Sequence, residues 1–154
     1  MCDFSIIIFS DLGIFNNLFD LLAKLLDKLE NCSLTIDDWS KACGLGIRPQ
    51  GFQGWNGNDC DKLLKYESLE KLKQMLEQSN AWYYPNSYIP EVFETLVAFS
   101  KVKEACFGIE LKQSYLSDIK EFADSYYFLV HKELINVTTK VHIGMLKVIY
   151  KNYV

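Results

Sequence analysis

Residues 15–30 read Phe15-Asn16-Asn17-Leu18-Phe19-Asp20-Leu21-Leu22-Ala23-Lys24-Leu25-Leu26-Asp27-Lys28-Leu29-Glu30. Within this stretch Phe15, Leu18, Phe19, Leu22, Leu25, Leu26 and Leu29 recur at steps of three and four, the period of one helix face turned to a core. The other face carries Asn16, Asn17, Asp20, Lys24, Asp27, Lys28 and Glu30, with Asp20 and Lys24 in the acid-before-base i, i+4 order that supports a solvated surface. The same period recurs downstream. A helix from Pro90 to about Phe107 buries Val92, Phe93, Leu96, Val97, Phe99 and Cys106 and stops at Gly108. A second, from about Leu111 to Leu134, presents Leu116, Ile119, Phe122, Ala123, Tyr126, Leu129 and Val130. Two long helices joined by a short turn predict an antiparallel hairpin.

Shorter elements fill the rest. Thr35 ahead of Asp37, Asp38 and Trp39 predicts a capped helix to about Cys43. Asn58 is expected to cap a helix through Leu64, and Ser68 another carrying Leu69, Leu72, Met75 and Leu76. Asn80 to Pro90 reads as an aromatic connector, and a last helix is expected from about Thr138 to Tyr150 on Val141, Met145, Val148 and Ile149. The fold class is therefore all-α: a bundle of about six amphipathic helices with one Gly-rich loop. Phe19, Leu22, Leu26, Phe93, Leu96, Phe122 and Leu129 belong to the expected core. The apolar tetrad Ile6 to Phe9 suits a helix and an extended arm equally.

With 154 residues, 49% hydrophobic and 23% charged, the chain has the size and composition of one globular domain, and wholesale disorder is excluded. The net charge is −4, and Arg48 is the single arginine. That balance speaks against autonomous binding of nucleic acid, which draws on clustered Lys and Arg. No uncharged run approaches the roughly 20 residues of a membrane span, and no secretory signal is recognisable. An intracellular protein, cytoplasmic or nuclear, is expected.

Cys2, Cys32, Cys43, Cys60 and Cys106 are odd in number and form no Cys-x-x-Cys pair. Reduced thiols are expected rather than a disulfide framework or a zinc site, and no cofactor is implied. A cysteine–histidine nucleophile would have to recruit His131 or His142, the only histidines. Nothing in the sequence neighbourhood activates a particular thiol, and His131 near its helix end is better explained by the helix dipole. No acidic pair can be singled out for acid–base work.

The segment Gly44 to Gly57 holds five glycines in fourteen residues but no phosphate-binding motif. Phe52, Trp55 and Asn58 make it the candidate binding loop. Two readings compete. The aromatics are exposed to a partner, or they fold back as packing plugs, which the immediate restart of helix at Asn58 favours.

Three segments, in order, carry a resemblance. Gly51-Phe52-Gln53-Gly54-Trp55-Asn56-Gly57-Asn58-Asp59-Cys60-Asp61-Lys62-Leu63-Leu64 resembles a Gly-rich, Gly-Asn-x-Cys-x-Lys-Leu-Leu element. Phe93 to Phe107 followed by Leu111 to Phe122 resembles a pair of helices, and Thr138-Thr139-Lys140-Val141-His142-Ile143 a Thr-Pro-Lys-x-His element in which Lys140 and His142 match. Together they are similar to the C-terminal half of uncharacterised transposable-element-derived proteins of invertebrate genomes. Thr139 replaces the family's proline, Lys147 stands where a second histidine is expected, and the family's following Ser-Glu-Gln and Glu-Ser-x-His region is not in this sequence. The resemblance implies a truncated or domesticated fragment of a longer ancestral protein. On that basis we expect a non-enzymatic helical domain acting through protein contacts, by a helix face or the Gly-rich loop. The alternative is a nucleic-acid-binding accessory module of a transposase-like protein.

Overall fold

The computed structural model describes residues 12–46, 57–107, 110 and 112–135. Among these residues six α-helices run in the order α1 (Leu12–Asp27), α2 (Ile36–Ala42), α3 (Gly57–Leu63), α4 (Tyr66–Gln78), α5 (Ile89–Phe107) and α6 (Tyr115–His131), with a 3-10 turn at Ala81–Tyr83 between α4 and α5. No strand occurs among the described residues. The fold is all-α, and the long hairpin of α5 and α6 is its most extensive helix pair, with α1 laid against α5.

The apolar periods account for the packing. In α1 the residues Phe15, Leu18, Phe19, Leu22, Leu25 and Leu26 are all buried, while Asp20, Lys24 and Asp27 face outward. In the hairpin Leu96, Phe99 and Val102 meet Ile119, Phe122, Tyr126 and Leu129 in one continuous core, with the Phe99 and Phe122 rings 5.2 Å apart. All seven residues named from the sequence as core are buried. The two-helix reading of the hairpin holds, with narrower bounds for α6: residues 112–114 form the turn, tied back where the Lys112 amide donates to the Ala105 carbonyl at 3.2 Å.

Trp39 on α2 is completely buried and ties α2 to two other helices. Its ring stacks on Phe19 of α1, with centroids 5.1 Å apart and planes within 9°, and its indole N–H donates to the Ser68 carbonyl of α4 at 2.7 Å. α2 is held at both ends. Thr35 and Asp38 form a reciprocal capping box. At the other end Gly44 adopts φ +84°, a conformation that side chains other than glycine's disfavour, and the Gly44 and Leu45 amides donate to the Lys41 and Ser40 carbonyls. The Lys71 ammonium adds a bond to the Ala42 carbonyl at 2.9 Å, the sign a helix C-terminus favours.

α6 ends in the same device without a glycine. Glu133 takes φ +59°, its amide donates to Val130, and the Leu134 amide donates to Leu129 at 3.0 Å. The His131 side chain lies exposed in that last turn, as its place near the helix end suggests.

Two caps differ from the sequence reading. α4 begins at Tyr66, so Ser68 is no cap: it lies in the first turn, and its hydroxyl donates backward to the Lys62 carbonyl of α3 at 2.8 Å. That bond clamps α3 to α4 and leaves Lys65, whose side chain makes no capping bond, at the N-cap. α3 starts at Gly57, which places Asn58 inside the first turn and exposed, not at the cap. Phe52, Trp55, Lys140, His142, the tetrad Ile6 to Phe9 and the helix expected over 138–150 lie outside the described residues. Among the described residues no helix is long and apolar enough to cross a membrane.

Leu22 and Phe122 are both fully enclosed, so truncation leaves a cavity that the packed helices around it only partly close. Leu22→Ala and Phe122→Ala are each expected to lower the unfolding free energy by about 2–5 kcal/mol, measured by urea denaturation followed at far-ultraviolet wavelengths.

Candidate functional site

α4 and α5 diverge enough to leave an open groove of about 850 Å³ between them. Its orientation follows from two ties. At one end the Ser100 hydroxyl of α5 donates to the Leu64 carbonyl, just before α4, at 2.6 Å. At the other, Trp82 of the 3-10 turn sets its edge against Phe93 at 5.5 Å, while the Lys73 ammonium of α4 sits 5.3 Å from the Trp82 ring centre. The two walls are therefore antiparallel, with Tyr66 opposite the Ser100 end and Lys73 opposite Phe93.

Leu64, Leu69, Phe93 and Val97 form the apolar floor. The first three are nearly buried, and Val97 is half-buried. Beside the floor the Tyr66 ring is 75% exposed, the largest exposure of any described large hydrophobic residue. Such a ring at the lip of an apolar groove offers contact area at small entropic cost.

The charges of the rim fall into two sets. Lys103 pairs with Asp61 at 2.6 Å, Lys101 with Glu121 at 3.6 Å, and Glu104 with Lys112 at 2.8 Å; Lys73 lies over the indole. Lys65, Glu67 and Glu70 have no partner among the described residues and are exposed. Each paired contact is a surface ion pair of small energetic worth, but together they occupy the groove-side cations of α5.

The thiols stand apart. Cys32 and Cys43 are half-buried, and Cys60 is buried on α3; all three are free. Burial pushes the Cys60 thiol from 9.0 up to about 12, partly countered by the Lys103 ammonium and reinforced by Asp61 and Asp59. Cys60 is thus a protonated core thiol at neutral pH, the opposite of an activated nucleophile. Burial also raises the Tyr127 phenol. Among the described residues no group of three or more His, Cys, Asp and Glu converges on a metal-sized site.

Of the residues singled out from the sequence, Asn58 is exposed on α3 and does not line the groove; Phe52, Trp55, Lys140 and His142 lie outside the described residues. The groove was not found by sequence reasoning. Phe93 and Val97 read correctly as apolar positions of α5, but periodicity does not show that the neighbouring helix leaves a groove beside them.

A buried thiol with a raised pKa stabilises the folded state fully at pH values below its unfolded pKa, and that contribution is lost as pH climbs toward the folded value. Wild-type unfolding free energy is therefore expected to fall between about pH 9 and 12 more steeply than that of Cys60→Ala. Equal slopes in denaturant titrations across that range would contradict the assignment.

No family model, no curated protein and no solved structure matches this chain, and the reading of the groove therefore rests on its chemistry.

Proposed function

We propose that this chain is a helical domain of transposable-element ancestry that acts through protein contacts, with the α4–α5 groove as its contact surface. The ancestry rests on the ordered resemblance of residues 51–64, the paired helices 93–122 and residues 138–143. The contact role rests on one observation: a groove between two helices, floored by the nearly buried Leu64, Leu69 and Phe93 and the half-buried Val97, with Tyr66 exposed at its lip. Two antiparallel helices walling an apolar floor suit an amphipathic helix, whose anchors at i, i+3, i+4 and i+7 fill such a groove. Tyrosine is among the residue types in which interface binding energy concentrates.

The nucleic-acid alternative finds less support on this surface. Lys101, Lys103, Lys112 and Lys120 of the α5–α6 hairpin all lie within ion-pair distance of carboxylates, and the Lys71 ammonium is engaged by the Ala42 carbonyl. A phosphate backbone would have to displace those partners.

The test is a titration of the isotope-labelled chain with a neutral synthetic amphipathic helix of leucine and glutamine, followed by amide chemical shifts. Shifts confined to residues 64–73 and 93–104, and weakened severalfold by Tyr66→Ala, are expected. Scattered shifts would overturn the groove as the contact surface. Saturable, salt-sensitive binding of single-stranded or duplex DNA in its place would favour the accessory-module reading.

A further inference from the structure

We infer that Tyr88 is a conformational latch at the start of α5: its ring, laid on Phe128 near the end of α6, holds its own backbone left-handed, and the residue swings to an extended conformation when that contact is lost.

Among the described residues, positive φ occurs outside glycine at Asn31, Asn80, Asn86, Tyr88 and Glu133. Asparagine visits this region readily. Glu133 is accounted for by its place just past α6, where its amide and that of Leu134 turn back onto helix carbonyls. Tyr88 has no such account. It stands immediately before α5, and the residues in the same place before α2, α4 and α6, which are Thr35, Lys65 and Ser114, take φ −118°, −66° and −77°. For a bulky side chain a φ of +61° is strained backbone, kept only where surrounding contacts hold it.

The contact that holds it is the ring. α5 and α6 are antiparallel, so the residue that opens α5 lies beside the last turns of α6, and the Tyr88 and Phe128 centroids are 6.4 Å apart. The Lys132 ammonium, one turn further on, comes to 5.7 Å from the same Phe128 ring. The backbone bonds at this junction are ordinary ones: the Tyr88 carbonyl accepts from the Val92 amide at 3.1 Å, and the Ser87 hydroxyl accepts from the Ile89 amide at 3.3 Å. The cost of one left-handed residue and the gain of one aromatic pair are of the same size. Loss of the ring contact therefore tips the balance toward the extended entry that Thr35 and Lys65 show.

The latch acts on more than its own residue. The connector from Asn80 to Tyr88 has left-handed residues at both ends, and between them it carries Trp82, whose ring edge rests on Phe93 at the far end of the groove. A change of path at Tyr88 is a change in how that connector is held. The latch stands or falls independently of the groove as a contact surface.

The test uses the isotope-labelled full chain. In Phe128→Ala the Tyr88 Cα and Cβ chemical shifts are expected to move from left-handed toward extended values, with severalfold faster amide exchange at Val92 and no change at Leu22 of α1. Phe128 is 40% exposed, so its truncation spares the core. A second comparison needs no change in α6: Tyr88→Gly should exchange at Val92 severalfold more slowly than Tyr88→Ala, the reverse of the order expected at a helical position, because only glycine takes the left-handed backbone without cost. Tyr88 shifts that stay left-handed in Phe128→Ala, or equal exchange in the glycine and alanine variants, would overturn the inference.

Discussion

The Trp39 side chain is the tie on which the arrangement of the shorter helices depends. A seven-residue helix such as α2 has little stability of its own, and its place is set by one buried indole. The ring stacks flat on Phe19, fixing α2 to α1, and its N–H finds the Ser68 carbonyl, fixing α4 to both. Ser68 in turn sends its hydroxyl to Lys62, so α3 is drawn into the same junction. The start of α4, and with it one end of a groove wall, is fixed by bonds made by Trp39 and Ser68.

The hairpin supplies the other wall and was largely readable from the sequence. Phe93, Leu96, Phe99, Phe122, Tyr126 and Leu129 repeat at helical spacing over long stretches, and a period sustained that far leaves little freedom in which face is buried. Capping was readable where the side chain acts on its own helix, as with Thr35 and Asp38. It misled at Ser68, whose hydroxyl bonds to a carbonyl of the preceding helix; a capping residue type identifies a donor and an acceptor but not the partner that tertiary structure brings within reach. The left-handed Glu133 that ends α6 has no compositional signal either, because glycine or asparagine is what that position favours.

The site was less legible than the fold for a related reason. Apolar periodicity marks Phe93, Val97, Leu69 and Leu64 as positions to be covered without saying by what. The space over them arises because α4 is held by Trp39 and Ser68 near its start and by Trp82 near the far end, bridged across a shallow trough. The electrostatic character of that trough is hidden in the sequence as well. Lysines and acids are equally numerous along it, and the pairing of Lys101, Lys103 and Glu104 with residues on other elements follows from packing that periodicity does not show. An exposed Tyr66 at a helix start is unremarkable as sequence and acquires meaning only beside the open floor.

The most direct measurement of this account is the effect of Trp39→Phe on global stability and on amide hydrogen exchange in α1 and α4. Phenylalanine keeps an aromatic ring against Phe19 but removes the indole N–H and leaves a gap. The account predicts a loss of about 1–3 kcal/mol in unfolding free energy, with faster exchange at Leu69 and Leu72 of α4 beyond any change seen in the α5–α6 hairpin. Unchanged stability, or a loss in which the α4 amides exchange as in the wild type, would contradict the claim that Trp39 positions the groove wall.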